Sequence, residues 1–273
     1  MTEKKKPKIG VIGVGILGDT IRLYYKKAMY QVFCYDKFKK IGSIEEINKA
    51  EIIFICVPTP RGADNKCDTS IVEKAVGYIE GAGKIIVIKS TVPPFTTNGL
   101  QQIYSKHDLL FNPEFLKTRS ARADFNNPTF QLVGYSYSPE NMKSVAKTVL
   151  NILPPARFSR IMPAVEAELF KWVRNGWLCV KNSYANQVYE VCQKNAIDYK
   201  FIKECSEKDP WIGTEHLDVM MDGYRGFNGA CLPKDSEAFL VWAEENGINL
   251  SVLRQSVEYN SALLESQNIK KDS

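Results

Sequence analysis

The stretch Gly13-Val14-Gly15-Ile16-Leu17-Gly18 constrains this chain more than any other part of its sequence. It follows a strand-like run, Lys8 to Ile12, and leads into a helical run around Thr20 to Ala28. In that setting the first glycine permits a tight turn and the second lets a pyrophosphate approach the backbone. The third lets helix and strand pack closely. Backbone N–H groups at the helix start, those of Ile16 and Leu17 among them, are then free to hold phosphates. A second strand, Tyr30 to Tyr35, ends at Asp36, about 20 residues further on, where an acid bonds the adenosine ribose hydroxyls and repels a 2′-phosphate. The expected cofactor is therefore NAD rather than NADP, a preference that Lys37, Lys39 and Lys40 soften.

The alternation continues. Glu51 to Val57 is an apolar strand stopped by Pro58 and Pro60, and Lys84 to Lys89 is another, closed by Ser90 to Pro94. Leu109 to Phe111 and Phe130 to Gly134 read as shorter strands, with helices at Thr69 to Ile79 and Pro139 to Leu150 between strands. Strands alternating with helices predict an α/β, Rossmann-type doubly wound parallel sheet over 1–155, with its ligand edge at the strand C-termini. After about residue 155 no strand signal appears. Helices are expected at Val165 to Lys194, Asp198 to Cys205, Ser236 to Glu245 (stopped by Gly247) and Ser251 to Glu265. The span 156–273 thus reads as an all-helical domain whose closing helices have apolar faces wide enough for a dimer interface.

Composition excludes several other classes. The formal charge of +5 is mild and comes largely from the Lys4-Lys5-Lys6 and Lys270-Lys271 tails. That favours solubility over nucleic-acid binding, while still suiting an anionic substrate. No secretory signal and no membrane-spanning run are read. The seven cysteines are scattered without a Cys-x-x-Cys pair, which argues against a disulfide framework or a metal site and for a reducing cytoplasm. With only His107 and His216 available, chemistry without a histidine acid or base is expected.

Two features carry chemistry. Glu168, Lys171 and Asn175 are spaced by three and four, which stacks them on one helix face, where an ammonium and an amide can stabilise a developing alkoxide. Cys231 sits in a loop with Gly226, Gly229 and Pro233, just before Lys234 and Asp235, and a nearby ammonium favours thiolate. Cys56, Cys179 and Cys192 read instead as inert apolar residues.

Four segments complete a pattern: Val57-Pro58-Thr59-Pro60, Ser90-Thr91-Val92-Pro93, Asn112-Pro113-Glu114-Phe115-Leu116 and Gly226-Phe227-Asn228-Gly229-Ala230-Cys231-Leu232-Pro233-Lys234-Asp235. With Glu168, Lys171 and Asn175 between them, the chain resembles the UDP-glucose/GDP-mannose 6-dehydrogenase family from about Lys8 to Gln267. The last segment is close to that family's GFGGSCFPKD loop. The resemblance implies NAD contacts from Val57, Pro58, Thr59, Thr91, Glu114 and Lys234, and substrate contacts from Phe115, Leu116, Lys171, Asn175, Phe227 and Gly229. It implies Cys231 as the nucleophile that captures an aldehyde, Thr91 and Asp235 as holders of a water, and Glu114 as the base that activates water against a thioester. The implied reaction oxidises a primary alcohol of a nucleotide sugar, or a related anionic alcohol, to the carboxylate in two hydride transfers. A homodimer is implied as well.

The chain also departs from that pattern. Members of the family continue into a second Rossmann-like domain that holds much of the nucleotide, whereas this chain stops at Ser273. The segment from Asp36 to Glu51 is short, as if a helix and a strand were trimmed. Thr118, Phe130 and Trp211 stand where glutamate, arginine and arginine are common. Asn228 replaces a glycine beside the nucleophile, where a positive φ is expected, and Arg225 is a candidate replacement for a lost anion contact. Two alternatives remain: a single-step β-hydroxyacid or 6-phosphogluconate-type dehydrogenase, which needs no cysteine, and a catalytically silent NAD-binding protein.

Overall fold

A computed structural model describes residues 5–136, 141–221 and 223–270. The outer lysines of both tails, Lys4 and Lys271, and the expected helix start at Pro139 lie outside these residues. Two compact units emerge: one takes in the chain up to Pro60 with Asp68–Lys171, the other Arg61–Cys67 with Trp172 onward.

The first unit is built on strands that are almost wholly aliphatic. β1 (Ile9–Ile12), β3 (Ile52–Ile55), β4 (Ile85–Ile88) and β5 (Asp108–Phe111) are central, with β2 (Val32–Tyr35), β6 (Phe130–Tyr135) and β7 (Phe158–Pro163) outside them. The order is β2-β1-β3-β4-β5-β6-β7. All neighbours pair in parallel except β5 with β6, which is antiparallel. Side chains alternate across the sheet, so each strand feeds two cores. Ile53, Ile55, Ile86, Ile88, Leu109 and Phe111 pack on one face; Ile9, Val11, Ile52, Phe54, Val87 and Leu110 pack on the other. The helices covering these faces include α1 (Ile16–Lys27), α3 (Ser70–Gly77), α4 (Thr96–Ile103), α5 (Ala121–Asn126) and α6 (Met142–Leu150), while α2 (Ile44–Ile47) is a single short turn.

The chain leaves β1 on one side to form β2 and returns to the other side for β3. The crevice for a ligand in such a sheet lies at that reversal, beyond the strand C-termini. The expected strand Phe130 to Gly134 is present, and the short Asp36–Glu51 connection contains only α2. Two readings are corrected. The helix after the glycine turn begins at Ile16, immediately after Gly15, rather than near Thr20. The region after 155 is not free of strands: β7 runs beside β6, and a two-stranded pair, β8 (Met220–Met221) with β9 (Tyr224–Arg225), follows later. β7 was hidden because an edge strand with an exposed first half reads as polar, and Pro163 ends it.

The second unit is mainly helical. α7 (Ala164–Lys194) starts among the first unit's residues and continues into the second, joined there by α8 (Tyr199–Lys208), α9 (Leu232–Glu245) and α10 (Ser251–Ser266). Cys179, Phe227, Leu240 and Leu253 form one of its cores; Ala185, Cys192, Tyr199, Leu217 and Val219 form another. The excursion Arg61–Cys67 also belongs here: Arg61 pairs with Glu237, Lys66 with Glu245 at 2.5 Å, and Cys67 packs with Trp172 and Ala238.

Candidate active site

The three glycines of the first turn differ physically. Gly13 has φ 87°, and a Cβ there would meet the carbonyl oxygen of Cys56 at 2.6 Å. A Cβ on Gly18 would strike the carbonyl oxygen of Gly13 at 1.8 Å, so only glycine lets α1 close on the turn. Above Gly15 nothing lies within 4 Å of a built Cβ. Gly15 is also the N-cap of α1, and no side chain caps that helix, so its first N–H groups are left for an external acceptor. Asp36 stands beside the turn. Its Oδ2 accepts from the Val14 N–H at 2.8 Å, and Oδ1 accepts from the N–H groups of Phe38 and Lys39 at 3.0 and 2.9 Å. Burial would raise its pKa, but those N–H groups and the nearby Lys39 ammonium hold it below the ordinary carboxylate value. Lys39 itself donates to the Val14 carbonyl at 2.6 Å. A largely apolar cleft adjoins Asp36, lined by Ile12, Gly13, Tyr35, Val57 and Pro58, with Ala75 and Tyr78 beyond. A cleft for a flat base beside an acid, next to an open, uncapped helix start, fits an adenosine diphosphate moiety.

Further along the same strand edge the polar groups are tied down individually. Pro58 is exposed and Thr59 buried. The Ser90 hydroxyl donates to the Val57 carbonyl at 2.6 Å, fixing the turn that carries Thr91 to the turn after β3. Lys171, on α7, donates to the Glu114 carbonyl at 2.7 Å and to its Oε1 at 3.0 Å, while Oε2 accepts from the Leu116 N–H at 2.8 Å. Burial would raise the Glu114 pKa, but the Lys171 ammonium, the Leu116 N–H and the Lys89 charge together keep the carboxyl below its ordinary value. Phe115 lies under the Lys171 ammonium, 5.4 Å from ring centroid to Nζ, and packs on Phe130 and Phe170. The phenylalanine at 130, where arginine is common in the resembled family, thus builds an aromatic wall.

Lys89 escaped the sequence reading, and the partners of Glu168 did too. Lys89 is buried at the end of β4, where it donates to Asn112 Oδ1 at 2.8 Å, and burial pushes its pKa down to about 8. A lysine closing an aliphatic strand was the available signal. Glu168, fully buried, receives the N–H groups of Phe95 and Thr97 at 2.8 Å each and the Thr97 hydroxyl at 2.6 Å. Burial without a cation raises its pKa to about 7. So Glu168 faces the start of α4, whereas Lys171, one turn later, faces Glu114.

In the second unit, Cys231 is exposed and forms the N-cap of α9, and Lys234 and Asp235 fall in the first turn of that helix. Asp235 is buried and is gripped at both oxygens, by Lys234 Nζ at 2.6 Å and Asn175 Nδ2 at 2.6 Å. Burial would lower the Lys234 pKa, but Asp235 and the nearby thiols raise it. Gly226 and Gly229 take positive φ, 98° and 86°, whereas Asn228 is not among the positive-φ residues. The strained positions are the flanking glycines, and Asn228 needs no special tolerance. Phe227 is anchored by Asn260 on α10, whose Oδ1 accepts its N–H at 2.7 Å and whose Nδ2 donates to its carbonyl at 2.9 Å. Arg225 has a different setting from the open anion contact expected. It donates to Asn186 Oδ1 and to Glu190 Oε1, and it stacks on the Tyr189 ring. Cys179 and Cys192 are buried, and burial pushes the Cys179 thiol up to about 12.

The glycine turn, Asp36 and the uncapped α1 define a dinucleotide-binding α/β protein, and comparison with known proteins specifies the group. Residues 37–152 match the UDP-glucose/GDP-mannose dehydrogenase family NAD binding domain, and residues 165–262 match the same family's central domain. UDP-glucose 6-dehydrogenase of Rickettsia bellii is 30% identical over 223 residues, covering 79% of this chain and 50% of that protein. The Pseudomonas aeruginosa UDP-glucose 6-dehydrogenase is 29% identical over 231 residues, 80% of this chain and 50% of that protein. The structure of a UDP-glucose dehydrogenase from the archaeon Pyrobaculum islandicum superposes with a TM-score of 0.84 at 25% identity, covering 98% of this chain and 72% of that one. The chain belongs to the UDP-glucose/GDP-mannose dehydrogenase family and uses NAD. It spans about half the length of the two curated relatives just described.

Proposed function

We propose that the protein oxidises a primary alcohol of a nucleotide sugar, or a related anionic alcohol, to the carboxylate through a covalent adduct on Cys231. The observation that carries this reading is the placement of Cys231 at the start of α9, exposed, with Lys234 in the first turn. A helix N-terminus and a neighbouring ammonium both favour thiolate, the form that attacks a carbonyl carbon. NAD, when bound, supplies the hydride acceptor for each of the two oxidations. Lys171 and Asn175 stabilise the oxygen that develops charge at the alcohol and again at the aldehyde. The Cys231 sulfur adds to the aldehyde carbon, which keeps that reactive intermediate on the protein until the second oxidation leaves a thioester. Water then releases the carboxylate, with Glu114 taking its proton and Thr91 and Asp235 orienting it. Phe115, Leu116, Phe227 and Gly229 are the remaining candidate substrate contacts.

We infer a homodimer. Val173, Trp177, Tyr184 and Val191 repeat at helical spacing along α7 and are exposed, as are Ile248 and Val252 near α10. Such a stripe of large apolar side chains is suited to burial against a second copy. Light scattering of the wild type is expected to report a dimer, and of Trp177→Glu a monomer. We infer a cytoplasmic setting from the seven cysteines, which are scattered without a Cys-x-x-Cys pair. No helix among the described residues is long and apolar enough to cross a membrane.

The test is a screen of UDP- and GDP-sugars with NAD, counting NADH formed per sugar consumed. Two per sugar supports the reading. One per sugar replaces it with a single-step dehydrogenase, and none replaces it with an NAD-binding protein without catalysis.

A further inference from the structure

Three turns at the C-terminal edge of the first unit's sheet are held by side chains rather than by secondary structure. The Ser90 hydroxyl ties the start of the Ser90–Thr97 turn to the Val57 carbonyl at 2.6 Å. Lys171 ties the turn after β5 to α7 through the carbonyl and carboxylate of Glu114. Glu168, one helical turn before Lys171, ties the far end of the Ser90–Thr97 turn to the same helix through Phe95 and Thr97. Phe95 is in the left-handed region at φ 76°, an unfavourable backbone for a bulky residue that needs such an external hold. α4 has no side-chain cap of its own on its N-cap residue, so the carboxylate of Glu168 satisfies N–H groups that would otherwise be orphaned.

We propose that Glu168 is a positioning residue: by clamping Phe95 and Thr97 to α7, it fixes Thr91 at the nicotinamide end of the NAD site and in register with the Lys171–Glu114 pair. This rests on the reading that the Thr91 turn faces the nicotinamide half of NAD. The adenosine half is held elsewhere, by the glycine turn, Asp36 and the cleft beside Tyr35, none of which Glu168 touches.

In Glu168→Gln the amide keeps one acceptor oxygen for Thr97 but turns an N–H toward the Phe95 N–H, so the clamp opens on one side. Thr97→Val removes only the hydroxyl contact and leaves both backbone bonds. Calorimetric titration of the full chain with NADH and with ADP-ribose, which lacks the nicotinamide, separates the two halves of the site. Glu168→Gln is expected to weaken NADH about tenfold, about 1.4 kcal/mol, while ADP-ribose stays within about twofold of wild type. Thr97→Val is expected to shift NADH in the same direction by a smaller factor. Unchanged NADH affinity in Glu168→Gln overturns the proposal, and so does an equal loss for both ligands, which marks a merely structural role. Thr91→Val distinguishes the proposal from the reading beneath it. If Thr91→Val leaves NADH affinity intact while Glu168→Gln weakens it, the assignment of Thr91 falls and the clamp stands. If only Thr91→Val weakens NADH, the clamp falls.

Discussion

Glu114 and Asp235 are each held by two partners, Lys171 and Leu116 for the first, Lys234 and Asn175 for the second. Cys231 is exposed at the start of α9, after two glycines at positive φ. Carboxylates held in this way have their orientation set before any ligand binds, as preorganised polar groups do. The proposed nucleophile is the most exposed of the three.

The sharpest way to break that contrast is Cys231→Ser. An exposed side chain at a helix start contributes little packing, so the variant is expected to unfold at the wild-type temperature. Turnover to carboxylate is expected to fall on the order of 10⁴-fold, since residues acting as one catalytic unit lose most of the rate together. A large drop in melting temperature would show that the cysteine loop is structural after all.

Lys171→Met tests the opposite side. It takes away the ammonium bonded to Glu114 in a largely buried position, with only the Lys89 charge left nearby, and breaking such a pair costs about 4 kcal/mol. Chemical denaturation is expected to show that loss at neutral pH and a smaller one in acid, where Glu114 takes up a proton. A neutral result would mean that water replaces the ammonium and that the first unit is less firmly ordered than described.

Glu168 and Glu114 also oppose each other in pH. Glu168 has its folded pKa raised from 4.5 to about 7 by burial, so its stabilising effect is complete below 4.5 and is lost as pH rises through 7. Glu114 has a lowered pKa, so its contribution is present above the ordinary carboxylate value and is lost as pH falls. Comparing wild type with Glu168→Gln from about pH 4.5 to pH 8 isolates the first effect, since only the wild type titrates there. The wild type is expected to lose roughly 3 kcal/mol relative to the variant over that range. A constant gap would mean that Glu168 stays ionised throughout and that three hydrogen bonds suffice to bury it.

What the sequence made legible was local. The glycine turn, Asp36 and the aliphatic strands are each specified by residues within one strand–turn–helix unit, and the sheet follows from their alternation. The Cys231 loop was legible for the same reason, since its residues are contiguous. What stayed hidden depends on partners distant in sequence: Glu168 with Thr97, Lys89 with Asn112, Phe227 with Asn260. A helix-face argument could put Glu168, Lys171 and Asn175 on one stripe, yet not say that they would face α4, Glu114 and Asp235 respectively. Arg225 was similarly ambiguous, because exposure to an anion and stacking on Tyr189 demand the same residue type. The edge strand β7 was masked by the polarity that edge strands need.

The smallest expected effect concerns how the cysteine loop is anchored. Asn260 is buried and supplies both hydrogen bonds to the Phe227 backbone, and a Cβ on Gly226 would meet its Oδ1 at 2.6 Å. Thus the loop is pinned by α10 at Phe227, four residues before Cys231, and the Asn228 amide donates to the Lys270 carbonyl at 3.0 Å. Asn260→Ala leaves a buried N–H and C=O without partners, at a cost of about 2 kcal/mol. Alkylation of Cys231 by iodoacetamide is expected to change by no more than about twofold, since the thiol depends on the start of α9 and not on the Phe227 anchor. A change of tenfold or more in that rate would mean that the Phe227 anchor reaches the Cys231 thiol.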